Sequence, residues 1–152
     1  MVDSKVKIGV LSLQGDFIEH LNVLETLSIE SLKVKTISDL NNVDGLIIPG
    51  GESTTIKKLI DRYGFEEPIK EKISHGMSVW GTCAGLICIA EKLSDPYPIP
   101  MNLIDAEISR NWFGRQAVSY THLRAHETRE DRVCPLLVEK KKGGGGGGGG
   151  GG

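Results

Sequence analysis

Nothing in the 152 residues approaches a long hydrophobic run. Apolar stretches such as Leu46-Ile47-Ile48 and Leu86-Ile87-Cys88-Ile89 fall far short of the ~18 consecutive apolar residues that a membrane-spanning helix needs. The opening Met1-Val2-Asp3-Ser4-Lys5 leads straight into a strand pattern without the apolar segment of a secretory signal, so a soluble protein with a cytoplasmic address is expected. Cysteine is scarce. Cys83, Cys88 and Cys134 make an odd number with neither disulfide-framework nor zinc-ligand spacing, which points to reduced thiols and no metal site. Charge of one sign is lacking too: the formal net charge is −2, and the charges are interspersed until Lys140-Lys141-Lys142. That excludes a basic nucleic-acid surface and suits a small neutral or zwitterionic ligand.

What is present in excess is glycine, 20 residues in all, with an unbroken run at 143–152 that cannot pack. Ahead of it the chain alternates in character. Residues 5–11 are β-branched and apolar and stop at Gln14-Gly15-Asp16, which reads as a strand and a turn. Phe17, Leu21, Leu24 and Leu27 then recur at helical spacing behind Asp16 as N-cap. Residues 32–36 form a candidate second strand. Gly45-Leu46-Ile47-Ile48 looks like a strand buried on both faces and ends at Pro49-Gly50-Gly51. Ile56, Leu59, Ile60 and Tyr63 mark a helix capped by Ser53 or Thr54, and Pro68 suits the first turn of another that runs to about His75. Residues 77–80 read as a short strand broken by Gly81. Leu86, Ile89, Ala90 and Leu93 repeat at helical spacing, and residues 104–108 alternate as one more strand.

Strands alternating with helices through short turns predict an α/β fold: three layers, doubly wound around a mainly parallel sheet. Ligands of such sheets bind beyond the carboxyl ends of the strands. Leu13-Gln14-Gly15, the loop from Pro49 to Ser53 and Gly81-Thr82-Cys83 all lie at such ends.

After Gln116 the character changes. Residues 119–131 carry no sustained strand or helix stripe and lead into the lysines and glycines. A partial domain over residues 1–116 is therefore expected, incomplete at its C-terminus, with residues 117–152 a non-native or disordered tail resembling an adaptor-derived translation. A flexible glycine linker and a natural disordered tail are the competing origins.

Gly81-Thr82-Cys83-Ala84-Gly85, between a strand and a helix, has the shape of a nucleophile elbow, whose small residues permit the strained turn that exposes the side chain. A thiol at a helix N-terminus is favoured as thiolate, and the N–H groups beginning with that of Ala84 can hold an oxyanion. A free cysteine is equally a small buried apolar residue, and that reading suits Cys88 better. In Pro49-Gly50-Gly51-Glu52-Ser53-Thr54-Thr55 the glycine pair lacks the lysine of a phosphate-binding loop. Its N–H groups could complete an oxyanion hole facing Cys83, or the segment could be only a tight turn.

Gly-Gly-Glu-Ser-Thr-Thr, followed by Gly-Thr-Cys-Ala-Gly-Leu-Ile, resembles the class I glutamine amidotransferases. Residues 9–17 with His20, and Arg110-Asn111 with Phe113-Gly114-Arg115-Gln116, narrow the resemblance to the glutaminase subunits of pyridoxal 5'-phosphate synthases, over residues 5–116. The resemblance implies hydrolysis of L-glutamine to glutamate and ammonia through a cysteine thioester, with no cofactor. The ammonia would pass to a synthase subunit in a hetero-oligomer. Cys83 would be the nucleophile, Gly51 and Ala84 the backbone oxyanion donors, and Gly51, Glu52, Ser53 and Arg110 the substrate contacts. From the residues alone, Glu52 and Arg110 are equally well surface charges.

The family completes its site with a late His-x-Glu pair, histidine as base and glutamate as its orienter. No His-x-Glu occurs among the 152 residues, and His20, His75, His122 and His126 receive no catalytic role. The alternatives are a catalytically dead fragment that at most docks on the synthase subunit, or another cysteine hydrolase on a similar sheet.

Overall fold

The computed structural model of the chain describes residues 5–109 and the backbone of residues 120–123. Arg110, the Asn111 to Gln116 motif, Cys134, His126 and the glycine run lie outside the described residues.

Four parallel strands form the main sheet in the order β2-β1-β3-β4: β1 (Lys7–Leu11), β2 (Glu30–Val34), β3 (Gly45–Ile48) and β4 (Ser78–Gly81). Gly9 pairs with Leu32 on one side and Leu46 on the other, and Ile48 pairs with Gly81. Every residue of β3 is buried, as its continuous apolar run predicts for a strand covered on both faces. One face of the sheet carries α1 (Phe17–Thr26), whose Phe17, Leu21 and Leu24 pack with Ile8, Val10, Ile47 and Trp80. The opposite face carries α2 (Ile37–Asn41), α3 (Ser53–Arg62), α4 (Glu66–Ser74) and α5 (Ala84–Ile89). Leu40, Ile56, Ile60, Ile69 and Cys88 from these helices close on Leu11, Val34, Leu46, Ile48 and Val79. The expected three-layer, mainly parallel α/β fold is what forms.

The differences are additional short elements, one shortened helix and a second sheet. α2 was not expected. It is held by a capping box in which the Asp39 N–H donates to the Thr36 hydroxyl and the Asp39 carboxylate accepts from the Thr36 N–H, both within the local sequence. The helix expected to run through Leu93 stops at Ile89. Its last carbonyls are taken by another segment: Met101 N–H donates to Cys88 (2.7 Å), Leu103 to Ile89 (2.9 Å) and Asn102 to Ala90 (2.9 Å). Ala90 turns extended and the chain enters β5 (Lys92–Leu93). β5 pairs in parallel with β6 (Ala106–Ser109), and β6 in antiparallel with β7 (Tyr120–Leu123). The alternating residues 104–108 thus belong to a second, three-stranded sheet rather than to the main one. β7 lies in the stretch that was expected to hold no strand, and Tyr120 and Thr121 are residue types that suit a pleated surface.

Lys57 on α3 is buried at 6% exposure yet charged, because its ammonium donates to Asp61 and to Glu66 of α4 (2.8 Å), and Glu66 also accepts from Lys70 (2.8 Å). Burial pushes the Glu66 carboxyl upward, but hydrogen bonds from Lys57 and Lys70 and their charges outweigh it and hold the group below its ordinary value. Its contribution is therefore fully present above the unfolded-state value and disappears as pH falls through the lower folded-state value. Glu66→Gln should cost about 1 kcal/mol at neutral pH. In urea unfolding measured across acid pH, the parent chain should lose more stability below about pH 4.3 than the variant does. Equal slopes in the two proteins would contradict the role given to Glu66.

Candidate active site at the end of strands β1, β3 and β4

The chain moves from β1 outward to β2 and then returns across β1 to β3 and β4, so the strand order reverses between β1 and β3. In an open parallel sheet that reversal opens a crevice beyond the carboxyl ends of the two strands. The loops that leave β1 and β3 meet there. Asp16 N–H donates to the Gly50 carbonyl (2.9 Å), and the Gln14 side-chain oxygen accepts from the Glu52 N–H (3.4 Å). Gly15, at φ +99°, sits so close that a Cβ there would lie 2.0 Å from the Gly50 oxygen. A Cβ on Gly51 would come within 2.8 Å of the Gln14 side-chain oxygen. The two loops are packed backbone to backbone.

Cys83 joins them from β4. Its side chain is exposed, and its backbone has φ 51° and ψ −112°. For a residue with a Cβ this conformation costs roughly 1–3 kcal/mol and persists only where its surroundings over-determine it. The surroundings are specific. Thr82 N–H donates to the Ile48 carbonyl (3.1 Å), and the Thr82 carbonyl accepts from Gly85 N–H (2.9 Å). Gly85 packs on the end of β3 so tightly that a Cβ would lie 1.9 Å from the Ile48 oxygen. The strand therefore turns into α5 within Thr82 and Cys83, and the thiol is left outside. A Cβ on Gly50 would stand 3.4 Å from the Cys83 Cβ, which places the glycine loop directly against the nucleophile candidate. As the first residue of α5, Ala84 has no intrahelical acceptor for its N–H. Neither it nor the Gly51 N–H has a partner among the described residues.

Glu52 and Ser53 occupy the same loop in different ways. The cap of α3 is Glu52, not Ser53 or Thr54: its carboxylate accepts from Thr54 N–H (3.1 Å), Thr55 N–H (2.7 Å) and the Thr55 hydroxyl. The hydrogen bond from the Thr55 hydroxyl is the main cause that holds this carboxyl below its ordinary value, so it is ionised at neutral pH. A carboxylate there also favours the positive end of the helix. Ser53 is 2% exposed, and its carbonyl accepts from the Cys88 thiol (3.6 Å). Cys88 is fully buried in the core, as expected.

One contact was not foreseen. His20 of α1 reaches the Thr82 hydroxyl with Nε2 at 3.1 Å, across 62 residues of sequence, and its ring stands edge-on to Trp80. Helical spacing puts His20 one turn after Phe17 and Asp16, on the side of α1 that faces the loops, but no local signal names its partner. Among the described residues no group of three or more His, Cys, Asp or Glu is placed to hold a metal ion.

Residues 10–134 match the SNO glutamine amidotransferase family, and this match continues past Gln116. The chain is 53% identical to the pyridoxal 5'-phosphate synthase subunit PdxT of Dehalococcoides mccartyi over 119 residues, 76% of this chain and 60% of the relative. It is 46% identical to an uncharacterized glutaminase of Schizosaccharomyces pombe over 125 residues, 77% of this chain and 52% of the relative. A crystal structure of a glutamine amidotransferase superimposes with a TM-score of 0.66 at 41% identity, covering 72% of this chain and 59% of that one. The chain thus spans 60% or less of the length of these proteins.

Gly85→Ala should be the most disruptive single methyl in the site, costing more than about 3 kcal/mol because backbone on both sides must move. Gly64→Ala provides the comparison: nothing lies within 4 Å of its added Cβ, and only its φ of +68° opposes the side chain. Thermal unfolding should rank Gly85→Ala far below Gly64→Ala, and equal melting temperatures would contradict the close approach of α5 to β3.

Proposed function

The chain belongs to the SNO glutamine amidotransferase family, and from that membership we propose that it is a glutaminase that serves pyridoxal 5'-phosphate synthesis. The reaction is hydrolysis of L-glutamine to L-glutamate and ammonia, with the ammonia handed to a synthase subunit in a hetero-oligomer in the cytoplasm. The observation that carries the proposal is Cys83: an exposed thiol on a strained backbone at the crevice of the sheet, with the glycine loop against its Cβ.

The proposed chemistry uses the groups at this crevice. The Cys83 Sγ adds to the side-chain carbonyl carbon of glutamine, and charge builds on the carbonyl oxygen. The N–H groups of Gly51 and Ala84, which have no partner among the described residues, are the donors to that oxyanion, fixed in place before the substrate arrives. Collapse breaks the C–N bond, and the nitrogen leaves as ammonia with the thiol's proton. The glutamyl thioester that remains is hydrolysed by water to glutamate, restoring the thiol. The loop of Gly51, Glu52 and Ser53 holds the amino-acid end of the substrate. There the ionised Glu52 carboxylate, with lone pairs left beyond those used by α3, attracts the substrate ammonium. Arg110 is proposed as a further substrate contact and lies outside the described residues. The base that the family resemblance assigns to a His-x-Glu pair has no counterpart in the 152 residues. The proposal for this chain therefore extends to the nucleophile, the oxyanion donors and the substrate loop.

A glutamine-mimicking electrophile should label Cys83 in preference to Cys88, and L-glutamine at millimolar concentration should slow the labelling at least tenfold. Peptide mapping by mass spectrometry reads both. Cys83→Ala should remove the label. Labelling that glutamine leaves unchanged, or that falls on Cys88, would overturn the proposal.

A further inference from the structure

We propose that His20 is a positioning residue for Cys83, acting through the hydroxyl of Thr82. The inference rests on Cys83 being the nucleophile, and it adds a residue outside the nucleophile, the oxyanion donors and the substrate loop.

Side-chain direction along β4 decides what faces each helix. Residues two apart on a strand share a face, so Trp80 and Thr82 point toward α1, while Val79 and Gly81 point toward α5. Beyond Gly81 the chain has to reverse into α5 within two residues. Backbone bonds tie Thr82 to the end of β3, through its N–H to the Ile48 carbonyl at 3.1 Å, and to α5, through its carbonyl from the Gly85 N–H at 2.9 Å. These leave the α1 side of the turn to the Thr82 side chain, whose hydroxyl meets His20 Nε2 at 3.1 Å. The turn is clamped from both faces of the sheet.

The ring that makes this bond is itself held. His20 is half-buried, and its imidazole meets the Trp80 indole edge-on, with centroids 6.1 Å apart and planes at 74°. Trp80 packs with Ile8, Val10, Phe17, Leu21 and Ile47. Its indole N–H is buried with no hydrogen-bond partner among the described residues, so the indole is placed by packing. The chain of support runs from the α1 core cluster through Trp80 to His20, then to Thr82 and the peptide that enters Cys83. A left-handed backbone at a residue other than glycine relaxes when one of the contacts that determine it is removed. Loss of the His20 bond should therefore let Cys83 leave the arrangement in which its thiol stands exposed at the start of α5.

The test follows alkylation of Cys83 by iodoacetamide at fixed neutral pH in the full 152-residue chain, read by peptide mapping, with Cys88 as the internal comparison. Glutamine is absent, so the measurement stands apart from the labelling that tests the glutaminase proposal. If glutamine failed to protect Cys83 there, the present result would still be readable. His20→Phe and Thr82→Val keep the volume and lose the bond, and each should slow Cys83 alkylation about fivefold, the rate equivalent of one net hydrogen bond. Combining them should slow it no further than either alone, since both remove the same interaction. His20→Gln and Thr82→Ser keep hydrogen-bonding groups in reach and should recover most of the lost rate. Circular dichroism reports whether each variant is folded. If His20→Phe fails to fold, Thr82→Val with its Thr82→Ser partner carries the test. Rates within twofold of the parent in both disrupting variants, additive losses in the double variant, or equal losses in the conservative variants would overturn the proposal.

Discussion

The contact on which the rest depends is the approach of Gly85 to the carbonyl of Ile48. It brings the first turn of a helix against the last residue of a buried strand, closer than any residue with a side chain allows. Because α5 starts there, the chain leaving β4 has only Thr82 and Cys83 in which to turn. The positive φ of Cys83 is the consequence. A non-glycine residue on a strained backbone is stable only when its surroundings hold it, and here they are a strand with no exposed residue and a helix docked upon it.

The second ingredient is topology. Reversal of strand order between β1 and β3 is what allows the loops after both strands to touch. Gly15 and Gly51 then remove the side chains that would hold the loops apart. Their meeting sets the glycine loop beside Cys83, leaves the N–H groups of Gly51 and Ala84 without partners among the described residues, and puts an ionised carboxylate at the loop's far end. Among the described residues the charged side chains of these loops are those of Asp16 and Glu52.

Much of this could be read from the amino-acid order, because the decisive features are local. The buried run Gly45-Leu46-Ile47-Ile48, the glycines on either side of Cys83 and the heptad-like spacing of Ile56, Ile60 and Tyr63 each state their element within a few residues. What escaped was set by partners distant in sequence. Leu93 continues a helical stripe, yet α5 ends at Ile89 because residues 101–104 take its terminal carbonyls. Ser53 has the chemistry of a cap, yet it is the first residue inside α3, and Glu52 at the cap position accepts from two N–H groups and a hydroxyl. Thr36 and Asp39 did carry a local capping signature, but the helix that follows is too short to show a periodic stripe. His20 gave no indication of its role, since only the folded sheet brings α1 to the end of β4.

The central claim is that glutamine acylates Cys83. The most direct measurement incubates the chain with L-glutamine and the synthase subunit, quenches in acid and maps the cysteine-containing peptides by mass spectrometry. The account predicts a glutamyl group on Cys83 and none on Cys88, and the adduct should vanish when glutamate replaces glutamine. An unmodified Cys83 in a chain whose fold is intact would contradict it.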